Sequence, residues 1–232
     1  MFHLRFGMKR IVAAAVVAAA FLAGWSALAQ TPMTLPPAPG STPQLPPTYS
    51  IDLMTPAGVA AIGSEWRYMD ARIVETAALP NAGAQWKTTY DIAPKASKAN
   101  FDDSSWPVIA PDTLKNPRCG GKICFCWYRI KITIPAKVGD RDTAGLRVGL
   151  VITVDDYAEV AVNGEVPRSL GRPSPAAVQG FNMPNRVLLS DSVKPGDKFE
   201  IAILGINGPI AVAPDNFVFF RQATLEFFNS RF

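Results

Sequence analysis

Between Cys124 and Gly164 the chain alternates. Tyr128, Ile130, Ile132 and Ile134 are separated by Arg129, Lys131 and Thr133, and further on Val160 and Val162 alternate with Glu159 and Ala161. A period of two puts successive side chains on opposite faces of an extended strand, so each run has one face to bury. Asn163-Gly164 breaks the second run. Both residues tolerate positive φ, which a tight two-residue hairpin needs. The stretch reads as three antiparallel strands in the middle of a β-sandwich.

The 232 residues are not all domain. Residues 1–29 begin with Arg5, Lys9 and Arg10, run apolar from Ile11 to Ala23, and close on Ala27-Leu28-Ala29. A basic start, a short apolar run and a small-x-small ending mark a secretory signal peptide cut after Ala29. The competing reading, an uncleaved anchor, needs about 20 apolar residues. No Cys lies near the cut to carry a lipid. Residues 30–50 form a linker with prolines at 32, 36, 37, 39, 43, 46 and 47 and no charge. Such a composition favours extended polyproline II and builds no core. Residues 51–232 are left as one domain, long enough for one well-buried core. The expected location is periplasmic or secreted, with no membrane span once the leader is gone.

Cleavage changes the chemistry. The leader takes three of the 23 basic residues and none of the 19 acidic ones, so the mature chain carries a net charge near +1. That is no footprint for nucleic acid. His3, the single histidine, leaves as well. A Ser-His-Asp or Cys-His nucleophile and a His-ligated metal are then excluded, while Ser-Lys or paired-carboxylate chemistry stays open.

The rest of the domain reads as short strands and turns. Met54–Ile62 is a short helix or an irregular lead-in. Strands are expected over 65–74, 85–92, 146–154, 186–189, 199–206 and 217–228, with turns at Asn100–Pro107 and Pro195-Gly196-Asp197. No helical period of useful length appears. Many strands with Gly/Pro turns argue an all-β antiparallel sandwich or jelly roll.

Four motifs then stand in order: Phe101-Asp102-Asp103-Ser104-Ser105-Trp106-Pro107, Trp127-Tyr128-Arg129, Val154-Asp155-Asp156-Tyr157 through Asn163-Gly164, and Lys194-Pro195-Gly196-Asp197 through Ile203. Together they resemble the sugar-binding domain of family 2 glycoside hydrolases such as β-galactosidases, a galactose-binding-like jelly roll. The resemblance covers about 66–228. It implies a β-sandwich that precedes a catalytic barrel, and no barrel follows in this sequence, so the expected role is non-catalytic. It also implies that the loop before the last strand lends an acid toward the sugar, a position similar to Asp215.

Sugar sites pair aromatic faces with planar polar groups. Two loop-rich segments supply such groups: Arg168, Arg172, Gln179, Asn182 and Asn185 in the first, Asp215 and Asn216 in the second. Arg168, Arg172, Asn182, Asp215 and Asn216 are the candidate carbohydrate-binding residues. The competing structural reading has each of them solvated or forming turns. Two functions are expected from different classes: an exported carbohydrate-binding module for a glycan, or an accessory subunit holding a protein partner in the cell envelope. Neither needs a cofactor. Asp102, Asp103, Asp155 and Asp156 are acidic clusters that a structural calcium would use, although paired acids in turns are commonly just solvated; no metal is expected.

Three thiols fall within eight residues, at 119, 124 and 126. Strand parity puts Cys124 and Cys126 on one face, too far apart to bridge easily. Cys119 can fold back across Gly120-Gly121, giving Cys119–Cys124 or Cys119–Cys126. The shorter closure, Cys119–Cys124, is expected, with Cys126 reduced and inward-facing. Three thiolates holding a metal is the remaining alternative.

Overall fold

Burial of alternating faces needs a second layer, and the chain builds two sheets to supply it. The computed structural model describes residues 46–78, 88–166, 182–208 and 217–229. The strands are β1 (Tyr49–Asp52), β2 (Trp66–Thr76), β3 (Thr89–Ala93), β4 (Val108–Ile109), β5 (Phe125–Thr133), β6 (Lys137–Val138), β7 (Arg141–Asp142), β8 (Arg147–Asp155), β9 (Tyr157–Val162), β10 (Asn185–Ser190), β11 (Lys198–Ile206) and β12 (Phe219–Phe228). A short helix, α1 (Pro56–Ala61), fills part of 54–62, with Thr55 as its N-cap and Pro56 in its first turn. The expected leader and most of the expected linker, residues 1–45, lie outside the described residues.

One sheet has the order β1-β12-β8-β10 and the other β3-β2-β5-β11-β9, with β4 paired to β2 and a separate β6-β7 hairpin. All the pairings between these strands are antiparallel. The fold is the all-β antiparallel sandwich that the alternation implies. The three strands of 124–164 do not pair with one another: β5 and β9 flank β11, and β8 stands in the opposite sheet.

The inner faces meet in one core. Cys126, Tyr128, Ile130 and Ile132 of β5 pack with Leu150 and Ile152 of β8, Ile201 and Ile203 of β11, and Ala223, Leu225 and Phe227 of β12. Trp66 lies at its centre, fully buried, edge-on to Phe220 at 5.6 Å, and donating its indole N–H to the Leu53 carbonyl at 2.8 Å. Gly205 is needed where β11 passes under this core. A Cβ there would meet Val218 at 2.9 Å and the Cys126 sulfur at 3.3 Å.

The expectation of a single buried face fails on β5. Arg129 is only 2% exposed and Trp127 3%. A second apolar layer, with Trp106, Trp127, Ala161, Ala202 and Leu204, covers the outer face of β5, β9 and β11. Segment 94–107, which includes the turn cluster expected at Asn100–Pro107, forms this cover. Arg129 donates from Nε to Asp103 at 2.8 Å, reaches Glu200 at 3.4 Å, and bonds the Ala96 carbonyl through Nη1. Phe101 lies against its guanidinium, 5.4 Å from ring centre. Arg67 binds the carbonyls of Asp103, Ser104 and Trp106 at 2.9–3.2 Å.

Removing one member of a buried ion pair leaves the other uncompensated and costs about 3–5 kcal/mol. Arg129→Met leaves Asp103 with only Lys131 Nζ, at 3.5 Å, and should lose up to that much stability in urea unfolding at neutral pH, and adding Asp103→Leu should recover a large part. A single variant as stable as wild type would show that the pair does not hold the cover.

Candidate functional site

Strand ends gather at one corner of the sandwich. β8 finishes at Asp155 opposite Phe219, the first residue of β12, and β9 starts at Tyr157 opposite Ile206, the last of β11. The segments 167–181 and 209–216 join this corner through Asn182, Gly208 and Phe217. Of the five candidate binding residues, Asn182 is described; Arg168, Arg172, Asp215 and Asn216 lie outside the described residues.

Asn182 does take part in the corner. Its φ of 61° turns the chain, its N–H donates to the Asp156 carbonyl at 2.8 Å, and its Oδ1 accepts from Arg221 Nε at 2.9 Å. Arg221 also donates to Asp155 Oδ2, from Nε at 3.1 Å and from Nη2. Asp156 Oδ2 accepts the Gly208 amide at 3.0 Å. The two acid pairs weighed for calcium therefore have protein partners: Asp155 holds Arg221, Asp156 holds Gly208, Asp103 holds Arg129 and Asp102 accepts the Ser104 amide at 3.0 Å. Among the described residues no group of three acids, thiols or histidines is placed for a metal. The half-exposed Arg221 guanidinium lies 5.2 Å from the Phe219 ring. Donor, amide and ring are groups that can meet a hydroxylated or anionic ligand.

Sequence reasoning missed Arg221, yet a signal was present. Val218 and Phe220 are out of phase by one with Ala223, Leu225 and Phe227. The register of β12 shifts between Phe220 and Gln222, the mark of a bulge.

The disulfide closes the neighbouring edge. Cys119 and Cys124 are bonded, with Cα atoms 5.8 Å apart, and Cys119, Gly120 and Gly121 all have positive φ. This is the pairing expected from the shorter closure. The loop it fixes grips both feet of segment 209–216. Asn207 donates its N–H to the Cys124 carbonyl at 3.2 Å and its Nδ2 to the Lys122 carbonyl at 2.6 Å. Arg118 and Val218 exchange two backbone bonds at 3.0 and 3.2 Å.

Cys126 is free, fully buried, and contacts the Gly205 carbonyl. Burial pushes its thiol from 9.0 up to about 12, against a weaker lowering by Tyr128. The thiolate is the reactive form, so this thiol is inert beside the disulfide. Burial also raises Tyr68 and Tyr128, with the Asp70 hydrogen bond adding to the rise on Tyr68.

Two outcomes follow from these protons. Native protein at pH 8 should not alkylate at Cys126, and denatured protein should, as read by peptide mass. Above pH 9 the unfolded thiol ionises while the folded one keeps its proton, so stability falls as pH rises from 9 toward 12. Cys126→Ala should flatten that part of the slope; an unchanged slope would remove Cys126 from the account.

No protein-family model matches the chain. No curated protein matches it by sequence. Solved structures do match. A glycosyl hydrolase family 2 member from Bacteroides cellulosilyticus is 17% identical over 71% of this chain and 20% of its own, at a TM-score of 0.41. A beta-glycosidase from Bacteroides vulgatus is 16% identical over 78% of this chain and 20% of its own, at 0.43. The Bacteroides uniformis beta-glucuronidase is 16% identical over 72% of this chain and 17% of its own, at 0.41. The chain thus spans about a fifth of the length of the glycosidases it is similar to, and family 2, which the sequence motifs resemble, is the family of the first of these.

Proposed function

We propose that this protein is an exported, non-catalytic carbohydrate-binding module, with Arg168, Arg172, Asn182, Asp215 and Asn216 as its sugar contacts. The observation that carries the reading is the braced corner. Asn182, Gly208 and Arg221 are tied to Asp155-Asp156, while Asn207 and Val218 are tied to the disulfide loop. Segment 209–216 is therefore held at both feet and segment 167–181 at its Asn182 foot, which limits the ordering cost a ligand must meet. Guanidinium, amide and carboxylate groups are of the types that exchange hydrogen bonds with sugar hydroxyls. A mature chain without histidine fits binding better than turnover, and the disulfide fits an oxidising compartment. Among the described residues no helix is long and apolar enough to cross a membrane.

The accessory-subunit reading has one observation of its own. Tyr90 is 64% exposed and Ile73 44%, and the register Ile73↔Ile92, Glu75↔Tyr90 puts them on one face of the β2-β3 ribbon. Exposed apolar side chains on a shared face suit a protein contact.

A glycan array probed with the exported protein, beside a pull-down from the native envelope, separates the two. We expect retention on one glycan class, with Arg172→Ala and Asp215→Ala each weakening it about tenfold, a loss of about 1.4 kcal/mol. Aryl glycosides should not turn over. A stoichiometric protein complex with no glycan bound, lost in Tyr90→Ser, would replace the module by the subunit. Turnover abolished by mutating one of its own carboxylates would make it an enzyme.

A further inference from the structure

At the opposite end of the four-stranded sheet, where Phe228 of β12 pairs with Arg147 of β8, lies a recess of about 470 Å³. Ligand sites for small molecules span roughly 300–1,000 Å³. Thr48 and Tyr49 line it where the chain joins β1, and Asn229 lines it where the chain leaves β12. Asp140, Arg141 and Asp142 of the β6-β7 hairpin complete it. The hairpin is held at its base by the fully buried Thr143, which donates its N–H to Ala136 at 3.1 Å and its hydroxyl to Pro135 at 2.5 Å.

We propose that this recess is a second ligand site, one that takes a neutral pyranoside. Its residues are none of those assigned to the loop corner, so it stands or falls separately. The chemistry is that of sugar recognition: one half-buried aromatic ring for the C–H face of a pyranose, with carboxylates, a guanidinium, an amide and a hydroxyl around it for hydroxyl groups. Both carboxylates are free to accept. The contacts of Asp142 to Lys137 and of Asp140 to Arg141 are 3.8 and 3.9 Å, beyond hydrogen-bond range, among exposed side chains. Leu146, which also packs against the core, gives the lining its apolar part. Asp140 and Asp142 stand against Arg141 and the nearby Lys137, so the recess carries no net charge, which suits a neutral sugar over an anionic one.

The test is an amide-resolved NMR titration of the intact exported protein with cellobiose, with lactose and, as the anionic comparator, with glucuronate. Cellobiose or lactose should shift the amides of Thr48, Tyr49, Asp140–Asp142 and Asn229, with glucuronate weaker. Tyr49→Ala should weaken binding about tenfold, the size expected of a lost ring contact. Because Tyr49 also touches the core, the Asp140→Asn/Asp142→Asn double variant is the control: both side chains are exposed, so thermal unfolding should not move while binding drops and the bias against glucuronate disappears. Shifts confined to Asn182, Gly208 and Arg221 would overturn the recess and favour the loop corner. Shifts at the recess that survive Arg172→Ala and Asp215→Ala would support the recess whatever becomes of that corner. No shift at the recess with either disaccharide, or shifts unchanged in the double variant, would overturn it.

Discussion

Arg129 is the interaction on which the outer half of this fold depends. A guanidinium that is 2% exposed is costly to bury and stays only where every donor finds an acceptor. Here the acceptors are Asp103, Glu200 and the Ala96 carbonyl. Two of these belong to segment 94–107, an irregular stretch lying over a sheet. Irregular backbone in such a place has carbonyls with no ladder to join, and each one left bare costs stability. The surrounding side chains supply the donors: Arg129 to Ala96, Arg67 to Asp103, Ser104 and Trp106, and Trp127 to Pro94 at 2.9 Å. The cover in turn shields the apolar outer face of β5, β9 and β11. Charge, carbonyl satisfaction and hydrophobic burial therefore form one linked arrangement.

The disulfide acts on a different scale. A closure five residues apart removes little chain entropy, on the order of 2 kcal/mol. Its effect is positional, because Lys122, Cys124 and Arg118 hold the residues on both sides of segment 209–216. Cys126, two residues along the strand, keeps its proton in the core and does not compete for the bridge.

The sequence disclosed most of the strand plan, since alternation survives wherever one face meets the core. Strands expected over 146–154, 186–189 and 199–206 appear as 147–155, 185–190 and 198–206. It disclosed the disulfide because three thiols and two glycines leave few ways to close a bridge. What it hid follows from the same period-two logic. Arg129 looks solvent-facing by parity, and only the folding-back of segment 94–107, a contact distant in sequence, buries it. Arg221 sits at a bulge, where alternation slips by one. The hairpin β6-β7 and strand β4 are two residues long, too short to carry any period. At the corner, Asn182 could be picked by type, but its link to Arg221 needs β12 beside β8, which no local pattern encodes.

These constraints also decide where a ligand can sit. The inner faces pack into one core, and the outer face of β5, β9 and β11 is covered by the protein's own chain. Among the described residues, the indole rings of Trp66, Trp106 and Trp127 are 0%, 6% and 3% exposed and are spent on packing. On the proposed reading, recognition falls to the rims, where turns and hairpins present polar groups on a fixed base. One rim is braced by Asp155-Asp156 and the disulfide, the other by Thr143 under the β6-β7 hairpin. A sandwich arranged this way can change what it binds by altering rim residues while the Arg129 layer and the Trp66 core stay as they are.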